Sequence, residues 1–266
     1  MVEPLFRVDN ATGLNPGAEI VLDGSEGKHA VGVRRMRVGE AIQLTDGRGI
    51  RLRGAVSAVA DKSLKVSVGE VLVEGEPAAK LVLVQALAKG DRDELAIQAA
   101  TELGAWAIVP WQAERSISRW DGPKVSKGVE RWQTIVTEAA KQSLRAWHPE
   151  VHQPATTRQL CAAVAEYDAV LILDPNAERS LSALPALVGK VAIVVGPEGG
   201  ISDADVGATH GIAITGVHAG ATLYYSTNGG TTWTAASSLS DTNALLLAAD
   251  SNTRVYYKPN GTSGTI

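Results

Sequence analysis

The chain has 266 residues, 45% of them hydrophobic and 20% charged, with a formal net charge of −4. This is the composition of a folded protein long enough for two modest domains, and it excludes a disordered polyelectrolyte or a surface coated throughout in basic residues. No run approaches the roughly 18 apolar residues of a spanning helix, and no basic region precedes an apolar stretch at the amino terminus, so a cytoplasmic protein without membrane contact is expected.

Residues 1–73 read as short strands at Leu5–Val8, Glu19–Leu22, Ala41–Thr45, Arg51–Val59 and Leu64–Val71. Turns such as Asp23-Gly24 and Asp46-Gly47-Arg48-Gly49 separate them, which is the pattern of a small β-barrel. Residues 74–80 are polar, contain Pro77 and read as a linker.

From Lys80 the pattern changes. Apolar strands at Leu81–Leu87, Trp106–Pro110, Ala169–Leu173 and Val191–Val195 alternate with longer amphipathic segments, as in an α/β domain with a mostly parallel sheet. Between the first two strands, Asp91 is placed to cap a helix with Glu94 at its third position. Leu95, Ala99 and Leu103 share one of its faces and Gly104 supplies the stop. A second helix is expected from Ser126 to Trp147. Its buried stripe is Val129, Trp132, Val136 and Ala140, while Glu138, Gln142 and Arg145 fall together on another face. That row suits a nucleotide grip or a hydrogen-bonded surface.

Val191 to Val195 runs directly into Gly196-Pro197-Glu198-Gly199-Gly200, after which Ser202 or Asp203 can cap a helix. Glycines allow close approach of backbone amides, and the crevice beyond the carboxyl ends of parallel strands is where open α/β sheets bind ligands. A tight turn accounts for the same residues. Two basic stripes, Lys28, Arg34, Arg35, Arg37 and then Arg115, Arg119, Lys124, Lys127, Arg131, Lys141, Arg145, offer local counter-charge to phosphates despite the net negative charge. A solvated surface is the plainer reading. Cys161, the only cysteine, lies at helical spacing beside Leu160 and Val164, and is expected to be buried and inert.

Four motifs occur in order: Gln85-Ala-Leu-Ala-Lys-Gly-Asp-Arg92, then Thr101-Glu-Leu-Gly with Gln112-Ala-Glu-Arg-Ser116, then Glu138-Ala-Ala-Lys-Gln-Ser-Leu-Arg145, then Gly196-Pro-Glu-Gly-Gly200. In that order they resemble the small-subunit (16S) ribosomal RNA uridine N3-methyltransferases of the knotted SPOUT superfamily. His29 to Glu40 is similar to the PUA-like RNA-binding barrel of that family. The resemblance covers residues 1 to about 207. It implies a SPOUT-like α/β domain over 81–207, a trefoil knot, a homodimer and S-adenosylmethionine as cofactor, with the 16S rRNA of the 30S subunit as partner and no metal.

The resemblance also assigns roles. Leu173, Gly196, Pro197, Glu198, Gly199 and Gly200 are the cofactor-site candidates. Arg145 is the candidate charge stabiliser, and Glu138 and Glu198 are weaker candidates for proton acceptor. Lys28, Arg34, Arg35, Arg37, Lys89, Arg92, Arg115, Arg119 and Gln142 are candidates for RNA contact.

After Val206 the family's closing helix, strand and loop are not recognisable. From Thr209 onward Thr, Ser, Gly and Asn dominate, a hairpin is signalled around Asn228-Gly229, and strands are expected near Ile212 to Val217 and Thr253 to Lys258. Residues 208–266 resemble an immunoglobulin-like repeat of bacterial adhesins, an atypical all-β tail in which Tyr224, Tyr225, Trp233, Tyr256 and Tyr257 pack or form a contact surface. Without the closing helix the knot and cofactor pocket are expected to be incomplete. The competing reading is then an impaired or non-catalytic RNA-binding scaffold carrying a β module.

Overall fold

The structure, a computed structural model, describes residues 3–174, 180–184, 186–202, 211–214, 222–240, 245–248 and 252–258. Alternation at period two builds the first sheet from β1 (Leu5–Arg7), β2 (Glu19–Leu22), β3 (Ala41–Thr45), β4 (Ile50–Val59) and β5 (Leu64–Val73), with α1 (Gly24–Lys28) and a π-helical turn, His29–Val33, between β2 and β3. In β5, Leu64, Val66 and Val68 are buried while Lys65 and Ser67 face outward. The strand order is β1-β3-β4-β5-β2. Phe6, Ile20, Ile42, Leu52 and Val66, one from each strand, share a single core.

The second sheet comes from near-continuous apolar runs. After β6 (Ala79–Ala86) come α2 (Arg92–Leu103), β7 (Ala107–Gln112), α3 (Pro123–Gln142), β8 (Glu150–Val151), β9 (Ala155–Thr156), α4 (Thr157–Ala162), β10 (Ala169–Leu173) and β11 (Gly189–Val195). The order is β10-β11-β6-β7-β8, with β9 also on β7, and every pairing is parallel. Both faces are covered, as parallel sheets require. Val82, Val84, Val109, Trp111, Ala192 and Val194 pack beneath the α4 side, and Leu87, Ile97, Ile108, Trp132 and Val136 pack under α2 and α3.

Two helix expectations need correction. Asp91 makes no side-chain cap bond to α2; Asp93, inside the first turn, accepts instead from the Ala88 backbone N–H at 3.1 Å. The row Leu95, Ala99, Leu103 is exposed, and the helix buries Ile97 and Thr101. Gly104 does end α2, with φ of 101°. The long helix stops at Gln142 rather than reaching Trp147. Ser143 Oγ folds back on the Ala139 carbonyl at 2.7 Å, Leu144 takes a φ of 54°, and Arg145 N–H closes on Ala140 O at 2.9 Å. That is a left-handed termination with leucine in the place glycine normally takes, so no residue type announced it.

The segment after α3 is sewn into the first sheet. Gly49 N–H donates to Ala146 O at 3.0 Å, His148 N–H to Gly47 O at 2.9 Å and Arg51 Nη1 to Leu144 O at 3.1 Å. Residues 74–78 are held from the same side, because Trp147 Nε1 donates to the carbonyl of Glu74 at 3.0 Å and Arg51 pairs with the Glu74 carboxylate. The expected linker is therefore tied at its start.

Beyond Ser202 the regular elements among the described residues are β12 (Gly211–Ile214), β13 (Thr222–Ser226), β14 (Thr234–Ala235), β15 (Leu245–Ala248) and β16 (Arg254–Lys258). β12 pairs with β15, and β14-β13-β16 form a separate antiparallel sheet. The hairpin turn forms where Asn228-Gly229 signalled it, with Ser226 Oγ accepting from Gly230 N–H at 2.9 Å. Val217, the expected cap Asp203 and the junction near residue 207 lie outside the described residues.

Candidate functional site

The glycine loop leaves the carboxyl end of β11, and two of its three glycines have a structural reason. A Cβ on Gly196 would meet Ile201 Cγ1 at 2.6 Å, and Gly200 has a φ of 76°, which L side chains rarely adopt. Gly200 N–H closes the turn on Pro197 O at 2.9 Å. Gly199 meets only ordinary contacts, the nearest being Arg115 Cβ at 3.4 Å. Leu173 ends β10 in register with Val195, which puts it beside the start of this loop, 38% exposed.

Two other loops converge there. Glu198 Oε1 accepts from the Lys89 backbone N–H at 3.2 Å and from Arg92 Nη1 at 3.4 Å, which ties the glycine loop to the loop after β6. Arg115 Nη1 donates to Gly199 O at 3.3 Å and brings in the loop after β7. The Gln85 to Arg92 motif, the Gln112 to Ser116 half of the second motif and the glycine loop thus meet at the carboxyl ends of adjacent parallel strands. Hydrogen bonds from its own and the Lys89 backbone N–H, with Arg92 beside it, hold the Glu198 carboxyl below the ordinary carboxylate range. Such a group is a poorer proton acceptor and a better loop anchor.

Beside this loop lie two buried polar atoms that no described residue satisfies. Gln85 Oε1, at the end of β6, and Ser116 Oγ, after β7, are buried without a hydrogen-bond partner among the described residues. An unsatisfied buried polar atom costs on the order of 1–3 kcal/mol, so the pair beside the glycine loop is available to a polar ligand or a water. Asp93 shapes the same end by holding Ala88; burial pushes its carboxyl above the usual value. Sequence reading gave no role to Asp93, and Ser116 entered it only as the last residue of the Gln112 to Ser116 motif. The acidic residue in the first turn of α2 was the available signal for Asp93.

The fourth motif does not join them. Arg145 lies beyond the end of α3, off the face carrying Glu138 and Gln142, and its Nη2 and Nε donate to the Glu102 carbonyl at 2.9 and 3.2 Å. Glu102 lies in the last turn of α2, and Trp106 N–H bonds Leu81 O at the start of β6. Gly196, by contrast, follows the Val195 to Gln85 pair at the far end of that strand. Four strand residues, roughly 13 Å, separate the two ends. Grouping Glu138, Gln142 and Arg145 on one helix face is therefore corrected, and within one chain Arg145 does not reach the glycine loop.

Glu138 instead faces the first sheet. Lys141, 5% exposed at its side chain, binds Glu138 Oε1 and Glu26 Oε1 at 2.7 Å each. The basic stripes also divide. Lys28, Arg34, Arg35 and Arg37 are exposed and enter no ion pair among the described residues. In the second stripe, Arg131 pairs with Glu94, Arg119 bonds the Glu114 carbonyl and Lys141 is buried. Cys161 is half-buried rather than sealed, on the wall of an apolar cavity of about 60 Å³ behind β10 and β11. In the distal sheet Trp233 and Tyr256 are 45% and 55% exposed, with ring centroids 6.3 Å apart. Among the described residues no group of His, Cys, Asp and Glu has the geometry to hold a metal, and no helix is long and apolar enough to cross a membrane.

An RNA methyltransferase domain model matches residues 75–223, running past residue 207, and an RNA methyltransferase PUA domain model matches residues 22–69. The chain is 40% identical over 228 residues to the ribosomal RNA small subunit methyltransferase E of Mycobacterium bovis, covering 84% of this chain and 86% of that protein. A methyltransferase of Legionella pneumophila, solved with its cofactor S-adenosylmethionine bound, superposes with a TM-score of 0.71 at 30% identity, over 79% of this chain and 86% of that one. A ribosomal RNA small subunit methyltransferase E from Neisseria gonorrhoeae, bound to S-adenosylmethionine, gives 0.69 at 26% identity, over 78% and 84%.

Proposed function

The chain belongs to the ribosomal RNA small subunit methyltransferase E family, and from that premise we propose that it methylates the N3 position of a uridine in 16S rRNA, with S-adenosylmethionine as the methyl donor. The observation that carries the reading is the convergence of the loops after β6, β7 and β11, with buried, unsatisfied Gln85 Oε1 and Ser116 Oγ beneath the glycines. The backbone of Gly196 to Gly200, with Leu173 at its side, is the cradle for the cofactor, and the two orphaned atoms are its polar contacts. When bound, the cofactor supplies a methyl group already activated on a sulfonium sulfur, so the protein's main task is alignment.

The remaining difficulty lies on the RNA side. Uridine N3 carries a proton and becomes a competent nucleophile only as that proton leaves and negative charge spreads onto O2 and O4. Arg92 and Arg115 are the guanidinium groups that the fold brings to the loop, and in this reading they stabilise that charge. Glu198 fixes Arg92 and the Lys89 backbone rather than accepting the proton, which in this reading passes to solvent water at the exposed loop. Arg145 steadies the end of α2. The target base must first be unstacked, which costs a few kcal/mol.

The same reading includes a homodimer, the 30S subunit as substrate particle and a cytoplasmic location; closure of the family's knot turns on residues after Ser202, many of which lie outside the described residues. Calorimetric titration with S-adenosylmethionine, followed by transfer of labelled methyl to unmethylated 30S subunits, tests it. Saturable binding near one per chain with methyl transfer is expected; silence in both would leave the RNA-binding scaffold as the better account.

A further inference from the structure

A second cleft, of about 320 Å³, opens between the first sheet and the carboxyl end of α3, lined among others by Phe6, His29, Arg34, Glu138, Lys141 and Gln142. That volume is at the lower end of the roughly 300–1,000 Å³ of small-molecule pockets. It lies with the amino-terminal ends of β6 and β7, because α3 ends there beside the Arg145 to Glu102 contact. The glycine loop is at the opposite end of the same strands. Within one chain, a base bound in this cleft is therefore not the base at the glycine loop.

The lining selects a nucleobase rather than a phosphate. The His29 ring stands edge-on to Phe6, with centroids 5.8 Å apart, and gives the cleft an aromatic wall. Glu138 presents a carboxylate fixed by the buried Lys141 ammonium at 2.7 Å. One helical turn on, the Gln142 side chain is exposed and makes no hydrogen bond with the described residues. An acceptor and an amide spaced this way match an N–H beside a carbonyl, the edge of uracil or guanine. A carboxylate repels phosphate, which is left to Arg34 at the mouth and to Lys28, Arg35 and Arg37 beyond it.

The loop that carries His29 and Arg34 is locally unusual. It is a five-residue π-helical turn, a form that gathers at functional sites, and Arg35 holds a φ of 54°, a sparsely populated conformation for arginine.

We propose that this cleft is a second nucleotide site, which takes one unpaired base of the RNA substrate away from the methylated position and so sets the register of the RNA on the enzyme. The proposal rests on the RNA methyltransferase reading and adds to it the residues that read a non-target base.

Fluorescence anisotropy on the full chain at fixed low salt is the test, with labelled octauridylate and an octamer of abasic ribose phosphate as probes. The wild type is expected to bind octauridylate about tenfold more tightly than the abasic strand, the scale of one stacked and hydrogen-bonded base. Gln142→Ala and, separately, His29→Ala are expected to close that gap and leave the abasic affinity unchanged. S-adenosylmethionine affinity serves as the check that each variant is folded. Equal affinities in the wild type, or a gap that survives both substitutions, would overturn the cleft site while leaving the methyltransferase reading intact. Failure of the wild type to bind S-adenosylmethionine strikes that reading instead, and a gap closed by Gln142→Ala would still identify the cleft as a nucleotide site.

Discussion

His148 sits where the two sheets meet, its ring nitrogens buried and its ring against Gly47. Burial, reinforced by the charges of Arg7 and Lys141, pushes its imidazole down to about 4. The unfolded chain holds a histidine near 6.5, so between about pH 6.5 and 4 the unfolded state binds the extra proton. Stability is therefore full above about pH 6.5 and is lost as pH falls toward 4. The size is about 3 kcal/mol at the acid end as an upper bound, since a one-unit shift is worth about 1.4 kcal/mol. Urea unfolding at pH 7.5 and pH 5 should show this loss in wild type and a flatter profile in His148→Phe. Equal slopes in the two proteins would remove His148 as the cause.

Lys141 does at the level of elements what no single contact in the turns does: it fastens α3 to α1. Lysine is almost never fully buried unless paired, and here one ammonium answers a carboxylate from each side. Removing it would leave Glu26 and the half-exposed Glu138 near each other with no cation between them. Lys141→Met is expected to destabilise the chain by at most about 3 kcal/mol, the low end for breaking a buried pair, because one partner is reached by solvent. Adding Glu26→Gln should recover part of that. Denaturant midpoints for the single and double variants check it, and a Lys141→Met protein as stable as wild type would show that the pair is solvated in solution.

For the whole molecule, a net charge of −4 coexists with an exposed basic edge at Lys28, Arg34, Arg35 and Arg37 that enters no ion pair among the described residues. Affinity for RNA should then depend on that edge and not on the overall charge. Each lost phosphate contact lowers the slope of log affinity against log salt by about 0.7 for single strands. Arg34→Ala with Arg35→Ala should flatten the slope by about 1.4, whereas Arg131→Ala, whose guanidinium is already held by Glu94, should leave it unchanged. Filter binding of small-subunit rRNA across a salt series reads both, and an unaltered slope in the double variant would return the edge to ordinary solvated surface.

What the sequence alone determined follows from local chemistry. Period-two burial placed the strands of the first sheet, continuous apolar runs placed β6, β7, β10 and β11, and Gly104 and Asn228-Gly229 marked a helix end and a hairpin, because each depends only on neighbours along the chain. The glycine loop after an apolar strand was legible as a turn or a ligand loop, and its motif partners were legible only through the resemblance to a known family. Tertiary structure decided the rest. Helical spacing carried the face of Glu138 and Gln142 on to Arg145, but a leucine took the left-handed turn at 144 because Ser143 and Arg145 satisfy the helix end around it. Which end of the sheet each motif reaches, that Lys141 is buried between two carboxylates, and that Gln85 and Ser116 are left without partners depend on contacts between residues far apart in sequence. No periodicity encodes those contacts; they exist only once the parallel sheet and the strand-rich amino-terminal sheet have packed together.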